Sequence, residues 1–349
     1  MEHFKTQRWK VMFFFEGSNT EIGIQHGETL RDDIADTKEW YLDQWWQDTE
    51  ENITTQVMGF RQAIKKHAPH LAEEIEGIAQ GSNQPVDMIY AINSRTELRP
   101  RAGILECTSV GIHKGFSGTG GVLLAQNWDW WNTFRGKTHL VRIHPDNAPR
   151  MATVIEPGML SKFGMNEAGV GVCLNFLDTE QVNPHGLPVH ILLRLILESD
   201  SLDAAYHHVL KPLPRAASAN YLIADAKDHI ATFEATPDHI FTLVEDGLMN
   251  ADLYPRDAEG TKFVSHANSY NGLGQRCHRQ NLFNYMIGEK GPGITPDQLK
   301  PIFRHPAVQG PVRPGQDIET IHTIIMDLNK GSRELSDGSL STNYIQYEF

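Results

Sequence analysis

The texture of the chain changes most sharply near Arg101, and no other feature constrains the fold as much. Up to that point the sequence reads mainly as helix. Residues around Glu21 to Trp46 contain no proline and mix apolar and charged positions at helical spacing. From Gln56 to Ala79, residues Ile64, His67, Leu71, Ile75 and Ile78 fall at steps of three and four, interrupted by Pro69. Pro85 and Asp87 ahead of MIYAIN mark a further helix start. Beyond Arg101, CTSVGIH, GGVLLAQNWDW, THLVRIHP and PRMATVIEPG are short, β-branched or aromatic, and separated by turn residues. They predict an antiparallel meander. KFGMNEAGVGVCLNF predicts a hairpin turning at Asn166 to Gly169. Helix returns at HILLRLILES and at SLDAAYHHVL, the second with Ser201 as N-cap. Strands resume at ANYLIADAKDHIATFEA and HIFTLVED. After a Pro-interrupted helical stretch from Gln280 to Pro306, ETIHTIIMDL and STNYIQYEF close the fold as strands. There is no internal repeat, and the order of elements predicts sheets inside and helices outside.

At 349 residues the chain suits one large domain or two interlocked ones, with a core that needs no staples. The apolar run Val11 to Phe15 is shorter than a signal-peptide core and ends at Glu16, so it predicts a short strand. No apolar stretch reaches membrane-spanning length. The expectation is a soluble, cytoplasmic protein. With 31 basic against 44 acidic side chains the net charge is −13, which argues against a nucleic-acid backbone or an anionic membrane as partner. Three cysteines, Cys107, Cys173 and Cys277, are too few for a disulfide framework.

Cys107 stands where helical texture gives way to strand texture, so it is either a reactive thiol or a small buried hydrophobe. Asn127 and Asp129, two apart on a predicted strand, share a face and need partners there. Trp128 alternates to the opposite face as packing. In HANS, Asn268 is either an oxyanion donor or an ordinary turn residue. The seventeen histidines, His26, His207, His208, His266, His278 and His322 among them, show no metal-ligand spacing. The Gly-rich stretch Gly115 to Gly121 lies between two strands with no following helix, so it reads as a hairpin loop and not a phosphate cradle. No cofactor or metal is expected.

Several stretches taken together resemble one family. They are IGIQHGE, EEIEGIAQGSN, INSRTEL, CTS, QNWDW, GMNEAGVGV and HAN, in that order between about residue 20 and about residue 270. The order is similar to that of the isopenicillin N acyltransferase family of autoproteolytic N-terminal-nucleophile hydrolases. The resemblance implies an α+β, four-layer αββα sandwich with a helical N-terminal segment. It implies a precursor cut between Glu106 and Cys107, giving fragments 1–106 and 107–349 that stay associated as one unit. Cys107 would be the nucleophile, its freed α-amine the base, Asp129 the residue that orients the amine or steadies the cleavage intermediate, and Asn268 the oxyanion donor. Asn127 would assist at the oxyanion and Asn175 would line the pocket. Arg95 would position the precursor loop, or else pair with Glu97 or another carboxylate.

The implied substrate is a small N-acyl amide or an acyl thioester such as an acyl-CoA, carried through a Cys107 thioester. Trp128, Trp130 and Trp131 would either be core packing or supply one wall of an apolar acyl pocket, and homo-oligomers are compatible with all of this. Two departures stand out: a glycine commonly precedes the nucleophile in the family where Glu106 stands here, and the family's C-terminal functional arginine has only Arg313 and Arg333 nearby. Two rival readings are a Cys107–His266 hydrolase that never cuts itself and a silent binding protein on the same scaffold. Cys173 and Cys277 are expected to be dispensable.

Overall fold

The computed structural model describes residues 12–98, 107–177, 179, 181–244, 247–250, 263–267, 275–310, 317–338 and 343–348. Strand β1 (Phe13–Gly17) opens the chain, as the apolar run predicts. The stretch predicted as helix around Glu21–Trp46 divides into α1 (Asn19–Thr29) and α2 (Arg31–Trp40), and α2 runs on as a π-helical turn, Tyr41–Trp46. Ser18 caps α1 in a reciprocal capping box with Glu21. Pro69 separates α3 (Glu50–His67) from α4 (Pro69–Ser82), where it occupies the first turn and costs no hydrogen bond. α5 spans Val86–Asn93. α1 packs closely along α4, and α3 lies against α5.

The strands after Cys107 differ from a single meander. β2 (Cys107–Ile112) and β3 (Leu123–Trp131) form a hairpin that belongs to one sheet. β4 (His139–Pro145), β5 (Met151–Ile155), β6 (Phe163–Asn166) and β7 (Val170–Phe176) belong to the other. The crossing comes between β3 and β4. β3 is buried on both faces along almost its whole length, so its sequence lacks the alternation that would show which sheet it joins. The chain continues through α6 (Val189–Leu197), a capped turn at Leu202 and a π-helical stretch, Ala205–Leu210. β8 (Ala219–Asp225), β9 (Ile230–Ala235), β10 (Ile240–Val244), β11 (Gly247–Asn250) and β12 (Phe263–Ala267) follow. Then come α7 (Gln275–Lys290), α8 (Pro296–Phe303), β13 (Ile318–Asp327), β14 (Ser332–Asp337) and β15 (Tyr344–Glu348).

The larger sheet runs β1-β4-β5-β6-β7-β8-β9-β10-β11 and the smaller β12-β2-β3-β13-β14-β15. Only the β1–β4 pair is parallel among the described strands. The sheets meet face to face where β2 and β3 pack on β7 and β8, and β12 on β9. α6 covers β6 and β7 from outside, while α7 and α8 cover β12 and β3. The layers are therefore helix, sheet, sheet, helix, the α+β sandwich that the resemblance implies. At the β6–β7 turn Gly169 has φ +84, which a side chain would resist. Asn166 accepts from the Val170 N–H and donates to Leu197 and Ser199 carbonyls, tying that turn to the end of α6. No helix among the described residues is long and apolar enough to cross a membrane.

Candidate active site

Cys107 is the first residue of β2 and stands in register with Trp128 of β3. Directly paired residues project to the same face of a sheet. Here that face meets the larger sheet. Cys107, Trp128, Trp130 and Lys162 line one cavity together with Leu174 and Phe176 of β7 and Val189 at the start of α6. Cys107 is buried, at 6% exposure. Burial, with help from the nearby Asp129 charge, pushes its thiol up to about 11, against a backbone hydrogen bond from Asp129 and the charges of Lys162 and Arg279. The thiol is therefore protonated at neutral pH.

Two charged groups flank the sulfur. The first is on the cavity side. Glu156 Oε1 accepts from Arg95 Nε (3.1 Å) and Nη2 (2.7 Å), and lies 3.3 Å from Lys162 Nζ. The hydroxyl of Tyr41 donates to Glu156 Oε2. Burial opposes a charge on Glu156, but Arg95 and Lys162 outweigh it and hold the carboxyl below its ordinary range. Arg95 stacks 4.0 Å from the Trp130 ring centre, and Lys162 Nζ sits 3.8 Å from that of Trp128. Lys162 is 3% exposed; burial, and then the charge of Arg95, push its ammonium down to about 7.

The second group holds Asp129. Its Oδ1 accepts from the Thr320 hydroxyl (2.5 Å) and its Oδ2 from Arg279 Nη2 (3.1 Å). The Gly310 N–H adds to these and also donates to Thr320 Oγ1 at 2.9 Å. Any side chain at residue 310 would have its Cβ 2.8 Å from Asp129 Cγ, so only glycine allows this approach. The β3–β13 register shifts between Thr320 and His322, a bulge beside the site. Burial raises Asp129 above its ordinary range, although Arg279 and the Thr320 hydroxyl pull the other way.

The structure thus brings Cys107, Asp129 and Arg95 to one place, with Arg95 paired to Glu156. Asn127 shares Asp129's face, as its spacing predicts, but its amide donates to the Phe303 carbonyl (2.8 Å) and accepts from Thr323 (2.7 Å), and it is not among the cavity's lining residues. Asn175 on β7 is buried between the sheets, where it accepts from the Ser109 hydroxyl at 2.6 Å. Trp128 and Trp130 face the cavity, whereas Trp131 packs on Trp40 and Trp45. Arg333 is buried on β14 and does not line the cavity. Glu106, Asn268 and Arg313 lie outside the described residues, as do the side chains of His266 and Cys277. Sequence reasoning missed Lys162, Glu156, Tyr41, Thr320 and Arg279. Only Lys162 left a local signal, a lone charge inside the apolar stretch MLSKFGM. Among the described residues there is no group of three or more His, Cys, Asp or Glu side chains placed to hold a metal.

The model of the family described as acyl-coenzyme A:6-aminopenicillanic acid acyl-transferase matches residues 116–286. The 40 kDa form of acyl-coenzyme A:6-aminopenicillanic-acid-acyltransferase from Emericella nidulans is 31% identical over 220 residues, 61% of this chain. The match spans 60% of that relative's length. The likeness to that family therefore lies in the middle of the chain, over residues 116–286. Among solved structures, a mutant of the conjugated bile acid hydrolase from Clostridium perfringens aligns with TM-score 0.48 and 16% identity, over 69% of this chain and 92% of that one. Penicillin V acylase from Agrobacterium tumefaciens aligns with TM-score 0.45 and 13% identity, over 69% and 86%.

Proposed function

We propose that the chain is an autoprocessing cysteine enzyme that transfers or hydrolyses acyl groups at amide bonds, cut between Glu106 and Cys107. The observation that carries the reading is Cys107 itself: a buried thiol at the head of an inner strand, facing a cavity walled by Trp128, Trp130, Leu174 and Phe176. In the uncut chain its sulfur attacks the Glu106 carbonyl and the peptide bond becomes a thioester, which water opens. The products are fragments of 106 and 243 residues. Residues 1–106 stay attached through buried contacts that cross the cut, such as Asn93 to the backbone of Gly158 and Leu160 and Arg95 to Glu156.

The cut frees an α-amine with an ordinary pKa of about 7.7–8.0. That amine takes the thiol proton, so base and nucleophile share one residue. An ammonium beside the sulfur also lowers the thiol from its uncut value. Asp129, fixed by Arg279, Thr320 and the Gly310 N–H, orients the amine. Asn268 donates to the oxyanion. The substrate's acyl group enters the aromatic cavity and forms a thioester on Cys107. Water then gives hydrolysis, and an acceptor amine gives acyl transfer. The apolar walls favour an apolar acyl chain presented as an N-acyl amide or an acyl thioester. The acyl-coenzyme A chemistry in the relatives' names supports including acyl-CoA among donors.

Intact mass and N-terminal sequencing of purified protein test the reading. Two fragments are expected, the larger beginning at Cys107. An active preparation that is still a single uncut chain overturns it. Incubation with N-acyl amides and acyl-CoA thioesters, quenched in acid, is expected to trap an acyl group on the fragment that begins at Cys107.

A further inference from the structure

Self-cleavage needs a proton acceptor before the α-amine exists, because until the cut that nitrogen is an amide. The Cys107 thiol must lose its proton to another group. Asp129 is a poor choice, since both of its oxygens are engaged by Arg279 and Thr320. Glu156 is also engaged on both oxygens, by Arg95 and Tyr41. His190 uses its ring nitrogens on Thr96 and the Ser161 carbonyl, and His322 uses its own on Thr138 and the Ser336 carbonyl.

Lys162 is placed differently. It is buried, lies over the face of Trp128, and lines the same cavity as the sulfur. Trp128 is the cross-strand partner of Cys107, which puts the amine and the thiol around one indole. Its carboxylate contact among the described residues, Glu156, is already matched by the Arg95 fork.

We propose that Lys162 accepts the Cys107 thiol proton in the uncut chain and returns it to the departing nitrogen. The inference rests on the self-processing reading above. The S–H bond breaks as an N–H bond forms on Lys162, and the thiolate forms a C–S bond to the Glu106 carbonyl carbon. The C–N bond then breaks as the lysine's proton passes to the Cys107 nitrogen. Water cleaves the C–S bond, which leaves the Glu106 carboxylate and a restored thiol. Burial supplies the neutral amine this needs near neutral pH. The titratable and charged groups around Lys162 are Arg95, Tyr41, Glu156, Cys107, Asp129, His190 and His322.

The test follows processing of the freshly translated full chain by intact mass between pH 5.5 and 9.5. For the wild type the rate is expected to rise to about pH 7 and then level off. If the thiol instead ionised unaided, the rate would keep rising tenfold per unit across the whole range, and that profile overturns the proposal. Lys162→Arg puts a basic side chain in the same place that stays protonated throughout this range, so it removes the acceptor. A loss of about 10²–10⁴-fold in processing rate is expected, the usual worth of a general base. Lys162→Arg processed at the wild-type rate also overturns it, while cleavage of the wild type leaves the function reading intact. A wild-type chain that is never cut overturns both.

Discussion

Two buried arginine–carboxylate clusters join the helical first hundred residues to the rest of the chain, and they balance charge differently. In one, Arg194 of α6 reaches both oxygens of Glu74 on α4 at 2.9 Å, and its Nε meets Glu198 at 3.0 Å. Asn19 donates to Glu74, and His70 bonds Glu198 at 2.9 Å. One guanidinium serves two carboxylates, a histidine offsets the second, and none of the four lines the cavity. In the other, Arg95 and Lys162 share Glu156 beside Cys107, so two basic groups face one carboxylate on the cavity side. A buried ion pair alone is weak evidence for anything beyond anchoring. An unbalanced one beside a buried thiol is the arrangement that shifts proton positions.

The largest effect is expected from removing what the second cluster surrounds. Cys107→Ala should yield only the uncut chain and no turnover, as read by intact mass and acyl release. Cys107→Ser should be cut slowly, since a hydroxyl can make the same shift. A processed Cys107→Ala chain would assign the cut to another protease.

Next in size is a matched pair of double replacements. Arg194→Met with Glu74→Leu swaps a balanced buried pair for apolar groups, a change that is often neutral or stabilising. Processing and turnover should stay near wild type. Arg95→Met with Glu156→Leu should slow processing by about 10²-fold or more, because Lys162 and the cavity wall lose their support. Equal effects on processing from the two pairs would erase the distinction between them. The single change Glu74→Ala leaves Arg194 buried without its main partner and should cost about 3–5 kcal/mol in urea unfolding.

The fold was legible where pattern is local, and the site where residues are neighbours in sequence. Pro69, Pro85 and Ser201 mark helix starts by chemistry that acts within one turn. The β6–β7 hairpin could be read from its turn residues. The crossing between sheets after β3 could not, because both faces of that strand are buried. β14, a strand rich in polar residues, also gave no run to read. Cys107 and Asp129 stand in short recognisable stretches, but the partners that fix Asp129 arrive from 150 and 191 residues away. Packing assembles those contacts, and no periodicity anticipates them.

The smallest effects are in pH dependence, and here the surroundings of the two clusters should respond with opposite sign. His322, near Lys162, is held neutral by burial and brought down to about 4; His190 is likewise pushed well below its ordinary value. Between about pH 4 and 6.5 the unfolded chain binds more protons at these residues than the folded one, so stability falls as pH falls. Each contributes up to about 1.4 kcal/mol per pH unit in its window. His322→Asn should flatten that slope in urea unfolding. His70 goes the other way. Its hydrogen bond to Glu198 outweighs burial and raises its pKa, so its contribution is complete below about 6.5. That contribution is lost as pH rises through the raised value. With its side chain 41% exposed the contribution is screened and small. His70→Asn should therefore lower stability slightly at pH 5.5 and leave it unchanged at pH 9. A loss that is equal at both pH values would mean His70 acts by packing, and the charge balance drawn for the Arg194 cluster would have to be redrawn without it.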